Sequence, residues 1–184
     1  MKSAVSSVAV PLATIATCAE MHRERPGLRF AIPVVPGLRP ALEALRATVP
    51  ADVPITLVDG RAHDALAACD VAIVASGTAT LETALFKRPM VVVYAMHILS
   101  WQIGKLVHYQ PWISLPNILL RDHAVPELLQ HRATPAAIAA ATFRWLDDPA
   151  AVRSLQERFE ALHRELHRDT GALATAAIEA VLRR

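Results

Sequence analysis

Residues 71–94 restrict the possible folds more than any other part of the chain. An apolar run, Val71-Ala-Ile-Val-Ala75, reads as a fully buried strand. It ends in Ser76-Gly77-Thr78, and residues 79–87 are good helix formers that stop at Arg88-Pro89. Met90-Val-Val-Val-Tyr94 is a second apolar, β-branched strand. This is a βαβ unit with a turn of small residues at the carboxyl end of its first strand, where open α/β sheets bind ligands. A turn of this kind opening a helix presents unpaired N–H groups and the positive end of the helix dipole, which suits a phosphate or diphosphate. Glu82, one helical turn beyond Thr78, can reach the same mouth and accept hydrogen bonds from sugar hydroxyls. Spacing alone leaves a second reading open, in which Gly77 ends a strand and Ser76 or Thr78 caps a helix.

The flanking sequence repeats the pattern. Strands are expected over residues 29–35 and 55–58, with a short helix within 36–49 and another over 61–68. Strands alternating with helices imply a parallel, doubly wound α/β sheet. Right-handed crossovers bring the loops after Val35, Val58, Ala75 and Tyr94 to one rim. Asp59 and His63 fall on that rim, as base or ribose contacts or as helix-cap residues. A helix over residues 4–24 precedes the first strand and ends before the turn dipeptide Pro26-Gly27. The same start could be read as a signal peptide, but Pro11 interrupts it and Thr17 stands where a lipoprotein signal wants a smaller residue.

Composition narrows the function. The chain has 184 residues, 53% of them hydrophobic and 20% charged, enough for a proper core and unlike a disordered tail. A net charge of +2 gives no argument for nucleic acid. Cys18 and Cys69 lack metal-ligand spacing and read as free thiols of a reducing compartment. No apolar run has transmembrane length.

Residues 95–111 surround a single Lys105 with Trp101, Tyr109 and aliphatic side chains. They read as a core or interdomain helix, with a membrane-interface surface as the alternative. Residues 112–114 are a candidate last strand, Leu115-Pro116-Asn117 a rigid turn, and 122–130 a helix. Thr134-Pro135 opens a further helix. In residues 150–167 charges three or four apart give a solvated helix face, and His163 and His167 form an i, i+4 pair without a third metal ligand. Thr170-Gly171 reads as a break before a last Ala-rich helix over 172–182. The apolar stripes Leu155, Phe159, Leu162, Leu166 and Leu173, Ala177, Ile178, Val181 call for a covering partner.

Ser76-Gly-Thr-Ala-Thr-Leu-Glu82, Pro89-Met-Val-Val-Val-Tyr94 and Ser114-Leu-Pro-Asn117 together resemble the lipid-A-disaccharide synthases, from about Glu20 to near the end. That resemblance implies a Rossmann-like half of a GT-B fold over residues 1–130, with residues 131–184 as helices packing on it or on a partner domain. It implies an inverting, metal-free glycosyl transfer without cofactor, in which 2,3-diacylglucosamine passes from UDP to lipid X. The protein would be cytoplasmic or peripheral on the inner membrane. Ser76, Gly77 and Thr78 would hold the diphosphate, Glu82 the ribose or donor sugar, and Asn117 would be a cleft contact. Val125-Pro-Glu-Leu-Leu-Gln130 resembles the family's helix carrying Glu127 and Gln130, which gives those two as further contacts.

Enzymes of this family are about twice as long, and a Gly-Ser-Arg loop before their corresponding helix has no counterpart here. The expected partners are therefore UDP-2,3-diacylglucosamine, lipid X and an amino-terminal domain, or self-association through the terminal helices. The general base is expected in the other half. Competing readings are a UDP-sugar-binding or regulatory half-domain and a related UDP-N-acetylglucosamine transferase or epimerase.

Overall fold

The computed structural model describes residues 4–95 and 111–183, with side chains from Leu12 onward. The reading of residues 95–111 falls almost wholly outside them. Helix α1 (Ala4–Glu24) leads into β1 (Phe30–Val34), α2 (Arg39–Arg46), β2 (Ile55–Asp59) and α3 (Ala62–Ala68). Strand β3 (Ala72–Ala75), helix α4 (Thr78–Leu85) and strand β4 (Met90–Tyr94) form the expected βαβ unit. After it come α5 (Leu115–Leu120), β5 (Glu127–Leu129), a 3-10 turn (Gln130–Arg132), and the helices α6 (Pro135–Asp147), α7 (Pro149–Leu166) and α8 (Thr170–Leu182).

Strand β4 explains why the architecture is doubly wound. Met90, Val91, Val92 and Val93 are each at most 1% exposed. Alternate side chains of a strand point to opposite faces, so a strand buried throughout must be covered on both. Met90 and Val92 pack with Val74, Ala84, Val125, Leu155 and Phe159, on the side of α4 and α7. Val91 and Val93 pack with Ile138, Ala13 and Ala141, on the side of α1 and α6. Trp145 of α6 fixes the register by donating its Nε1–H to the Met90 carbonyl at 3.1 Å. At the ends of α1 and α6, Arg25 pairs with Asp147 and lies 4.4 Å from the Phe143 ring centroid. The Arg25 guanidinium holds the Asp147 carboxyl below its usual range.

The α/β fold with parallel strands is as expected, its strands forming two ladders, β1-β2 and β3-β4-β5. The sequence of β1 supplies a reason for the break between them. Phe30 donates to the Pro54 carbonyl and Val34 accepts from Gly60, so even-numbered residues face β2. Odd-numbered Pro33 then stands on the other edge, where it has no N–H to give.

Three other expectations need correcting. Residues 122–130 are not a helix but a loop and β5, which pairs with β4 in parallel register. Pro126 disfavours helical backbone at Val125 and has no N–H for a helix ladder, and the Pro126 carbonyl instead accepts from Val92 at 2.9 Å. Residues 112–114 are not a strand either: they lead into α5, with Pro116 in its first turn. Finally, Gly171 lies inside α8, because Asp169 caps that helix by accepting from the Ala172 amide.

The stripe of α7 is covered within this chain at Leu155, Phe159 and Leu162, which are buried, while Leu166 at its end is 40% exposed. That of α8 remains uncovered, with Leu173, Ile178 and Val181 more than half exposed. Among the described residues no helix is long and apolar enough to cross a membrane.

The two thiols differ in access. Cys18 is 3% exposed and burial pushes its thiol up to about 12, while Cys69 is only partly covered. Because the thiolate is the nucleophile, iodoacetamide should label Cys69 first, and Cys18 only in denaturant. Peptide mapping that finds Cys18 labelled first in native protein would contradict this packing.

Candidate functional site

The βαβ turn leaves β3 at Ala75 and enters α4 at Thr78. Ser76 is tied to the sheet end, its amide donating to the Val93 carbonyl at 3.1 Å. Gly77 is the N-cap of α4, with φ 140° and ψ −163°, a backbone region essentially closed to residues with a Cβ. A Cβ at this position would meet no atom of the described residues within 4 Å, so among them the space beside the turn is open. Glycine is therefore required by the backbone and not by crowding. Having no side chain, it cannot cap the helix, and no side chain caps α4. Thr78 and Ala79 are exposed at the mouth. The first-turn amides of a helix have no intrahelical partner, so this mouth offers N–H groups to an anion.

Glu82 and His63 come together on the rim. Their Oε2 and Nε2 atoms are 3.5 Å apart, with side chains 47% and 69% exposed. The His63 ring also lies 5.4 Å from that of Phe86, centroid to centroid. Glu82 is thus a solvent-facing carboxylate with a neighbour soft enough to yield to a ligand. Asp59 is engaged elsewhere: both its oxygens accept from Arg39, at 2.6–3.1 Å.

Asn117, Glu127 and Gln130 are placed differently from the rim residues. Asn117 is fully buried, donates to the Val125 carbonyl and accepts from the Val125 amide, both at 2.9 Å. Its Nδ2 also donates to Glu127 Oε1 at 2.9 Å. The Glu127 carboxylate accepts in addition from the amides of Ile113 and Ser114 and from the Ser114 hydroxyl, at 2.6–3.2 Å. It neutralises the amino end of α5 as a capping carboxylate does. Gln130 has φ 53°, so the chain turns sharply there, and it lies on no common helical face with Glu127.

Two hydroxyls join the rim to this buried group. Thr80 is fully buried; its Oγ1 donates to the Gly77 carbonyl at 2.7 Å and accepts from the Leu115 amide at 3.3 Å. Ser76 Oγ donates to the Ile113 carbonyl at 3.5 Å. The sequence reading gives Thr80 no role of its own. The signal available was a threonine three residues into a helix whose N-cap is glycine, since such a hydroxyl readily bonds the preceding turn. The i, i+4 histidines lie away from this rim, where His163 Nδ1 meets Lys87 Nζ, which is 3.4 Å from Glu160.

Comparison with known proteins gives the chain's family. Residues 2–178 match the family described as lipid-A-disaccharide synthetase. A lipid-A-disaccharide synthase of Albidiferax ferrireducens is 48% identical over 166 residues, covering 88% of this chain and 43% of the relative. One from Aromatoleum aromaticum is 46% identical over 97% of this chain and 46% of its own length. One from Thiobacillus denitrificans is 52% identical over 72% of this chain and 36% of its own length. The chain thus spans less than half the length of these curated relatives.

Proposed function

The chain belongs to the lipid-A-disaccharide synthetase family, and on that footing we propose that it is the nucleotide-sugar half of such a glycosyltransferase. The donor is a UDP-linked 2,3-diacylglucosamine and the acceptor a monosaccharide lipid A precursor, lipid X. The acceptor hydroxyl oxygen bonds to the sugar's anomeric carbon as the bond from that carbon to the diphosphate breaks. The hydroxyl proton passes to a base outside these residues, and UDP leaves. Charge gathers on the diphosphate during this step, so groups already aimed at it lower the barrier. The backbone at Gly77 and Thr78 and the hydroxyls of Ser76 and Thr78 serve that purpose. Glu82 holds the ribose or donor sugar, with His63 beside it. Asn117 and Glu127 hold the 113–117 segment behind the turn, whereas Asp59, bound by Arg39, and Gln130 are given no direct contact in this reading. Amphipathic substrates of this kind place the working enzyme at the cytoplasmic face of the inner membrane.

The observation that carries the reading is Gly77, held in a glycine-only conformation at the carboxyl end of a parallel sheet, beside space that is open among the described residues. Titrating the chain with UDP by calorimetry tests it. Binding is expected in the parent and should weaken about tenfold or more in Glu82→Gln, since one charge-assisted hydrogen bond is worth roughly 1.5–3 kcal/mol. The melting temperature should stay near that of the parent, because Glu82 is exposed and its side chain pairs, among the described residues, with the still more exposed His63. A parent chain that does not bind UDP would refute the donor-site reading. A Glu82→Gln variant that binds as the parent does would remove Glu82 from it.

A further inference from the structure

We infer that Thr80 is a positioning residue for the donor site, and that its hydroxyl holds the Gly77 turn in its glycine-only conformation by tying it to Leu115. The inference rests on the donor-site reading for its functional consequence, and on geometry alone for its mechanical one. Glycine samples φ 140° about as readily as other regions, so Gly77 does not by itself select this conformation. A single conformation there has to be fixed by the bonds around it. The Gly77 carbonyl accepts from both the Thr80 amide, at 3.1 Å, and the Thr80 hydroxyl, at 2.7 Å. With its proton spent on Gly77, Thr80 Oγ1 accepts from Leu115 N–H at 3.3 Å. Amide, hydroxyl and carbonyl then form one directed chain, in which each bond polarises the next.

The far end of the chain is also anchored. Leu115 follows Ser114, whose amide and hydroxyl both bond Glu127 at 2.8 and 2.6 Å. Glu127 belongs to β5, which pairs with β4, and the Val93 carbonyl of β4 accepts the Ser76 amide. The circuit therefore closes through the sheet, and the turn is held from both sides. Thr80 is fully buried, so its hydroxyl takes no part in contacting a ligand; it acts through the backbone of Gly77.

The test compares Thr80→Val, which keeps the shape and deletes the hydroxyl, with Thr80→Ser, which restores the hydroxyl. Thr80→Ala deletes it without an added methyl, should valine fold poorly. Two readouts are taken on each chain. Without ligand, the backbone order parameter of Gly77 should sit near 0.85 in the parent and in Thr80→Ser, and fall below about 0.6 in the variants lacking the hydroxyl. With UDP, affinity should fall about fivefold in those variants, while Thr80→Ser stays within twofold of the parent.

An unchanged Gly77 order parameter in both Thr80→Val and Thr80→Ala overturns the positioning role. A mobile Gly77 with parent-like UDP affinity overturns its link to the donor site. Should the parent itself not bind UDP, the donor-site reading falls, and the order parameters still decide whether Thr80 holds the turn. Loss of affinity in the serine variant as well would overturn the proposal, because the hydroxyl would then not be what matters.

Discussion

Purified on its own and supplied with UDP-2,3-diacylglucosamine and lipid X, this chain of 184 residues should form no disaccharide above the uncatalysed background. The reason is geometric. Holding two reactants in line supplies about 7–11 kcal/mol of a bimolecular barrier, on the order of a hundred-thousandfold or more in rate. That requires an acceptor site facing the donor turn across a cleft. The rim described here presents one wall, built from the ends of β3 and β4 and the mouth of α4. Glu82, the exposed carboxylate on that wall, is the group proposed above to hold the donor. The relatives are more than twice as long as the region they share with this chain, and their remaining length is where an acceptor site has room. Helix α8 points the same way, since Ile178 and Val181 are 60% and 71% exposed. The check is a radiolabelled-donor assay with product separated by thin-layer chromatography. Turnover at rates ordinary for an enzyme, with no second polypeptide added, would defeat the expectation. Restoration by a separately expressed amino half of a relative would support it.

What the sequence discloses and what it hides follow from the range of the forces involved. The βαβ unit is legible because its signals are local: a buried apolar run, small residues at a turn, helix formers, then Arg88-Pro89. Helix α6 is legible for the same reason, with Thr134 accepting from the Ala137 amide and Pro135 at the first position. Residues 122–130 mislead because their structure is decided from outside. Glu127 has a fair helix propensity, yet its carboxylate bonds the amides of residues 113 and 114, and its backbone belongs to a ladder with β4. Propensity of a few tenths of a kcal/mol per residue cannot compete with that. Asn117 is placed by resemblance in the cleft, whereas its side chain is consumed inside by Val125 and Glu127. The two readings meet in the backbone, because Asn117 helps hold the segment that Thr80 ties to Gly77.

Replacing Glu127 should do more damage to stability than any other single change considered for this site. In Glu127→Ala the Ile113 and Ser114 amides, the Ser114 hydroxyl and the Asn117 amide lose one shared acceptor. Ser114 and Asn117 are fully buried, so water reaches them poorly. A buried donor left without a partner costs about 1–3 kcal/mol, and bonds to a charged acceptor lie toward the upper end. The donors relax together, so the costs do not add in full. A net loss of about 3 kcal/mol is expected, which for a chain of this size lowers the melting temperature by roughly 6–12 °C. Glu127→Gln should fall between, because it keeps one acceptor oxygen but turns an NH2 group toward neighbours that are donors themselves. The ordering Glu127→Ala below Glu127→Gln below parent is the signature of the carboxylate's role as a shared acceptor. Thermal unfolding followed by circular dichroism reads it directly, with Glu82→Gln as the exposed-carboxylate control. Should Glu127→Ala melt within about 1 °C of the parent, the carboxylate does not hold the 113–117 segment, and the wall behind the donor turn is fixed by something else.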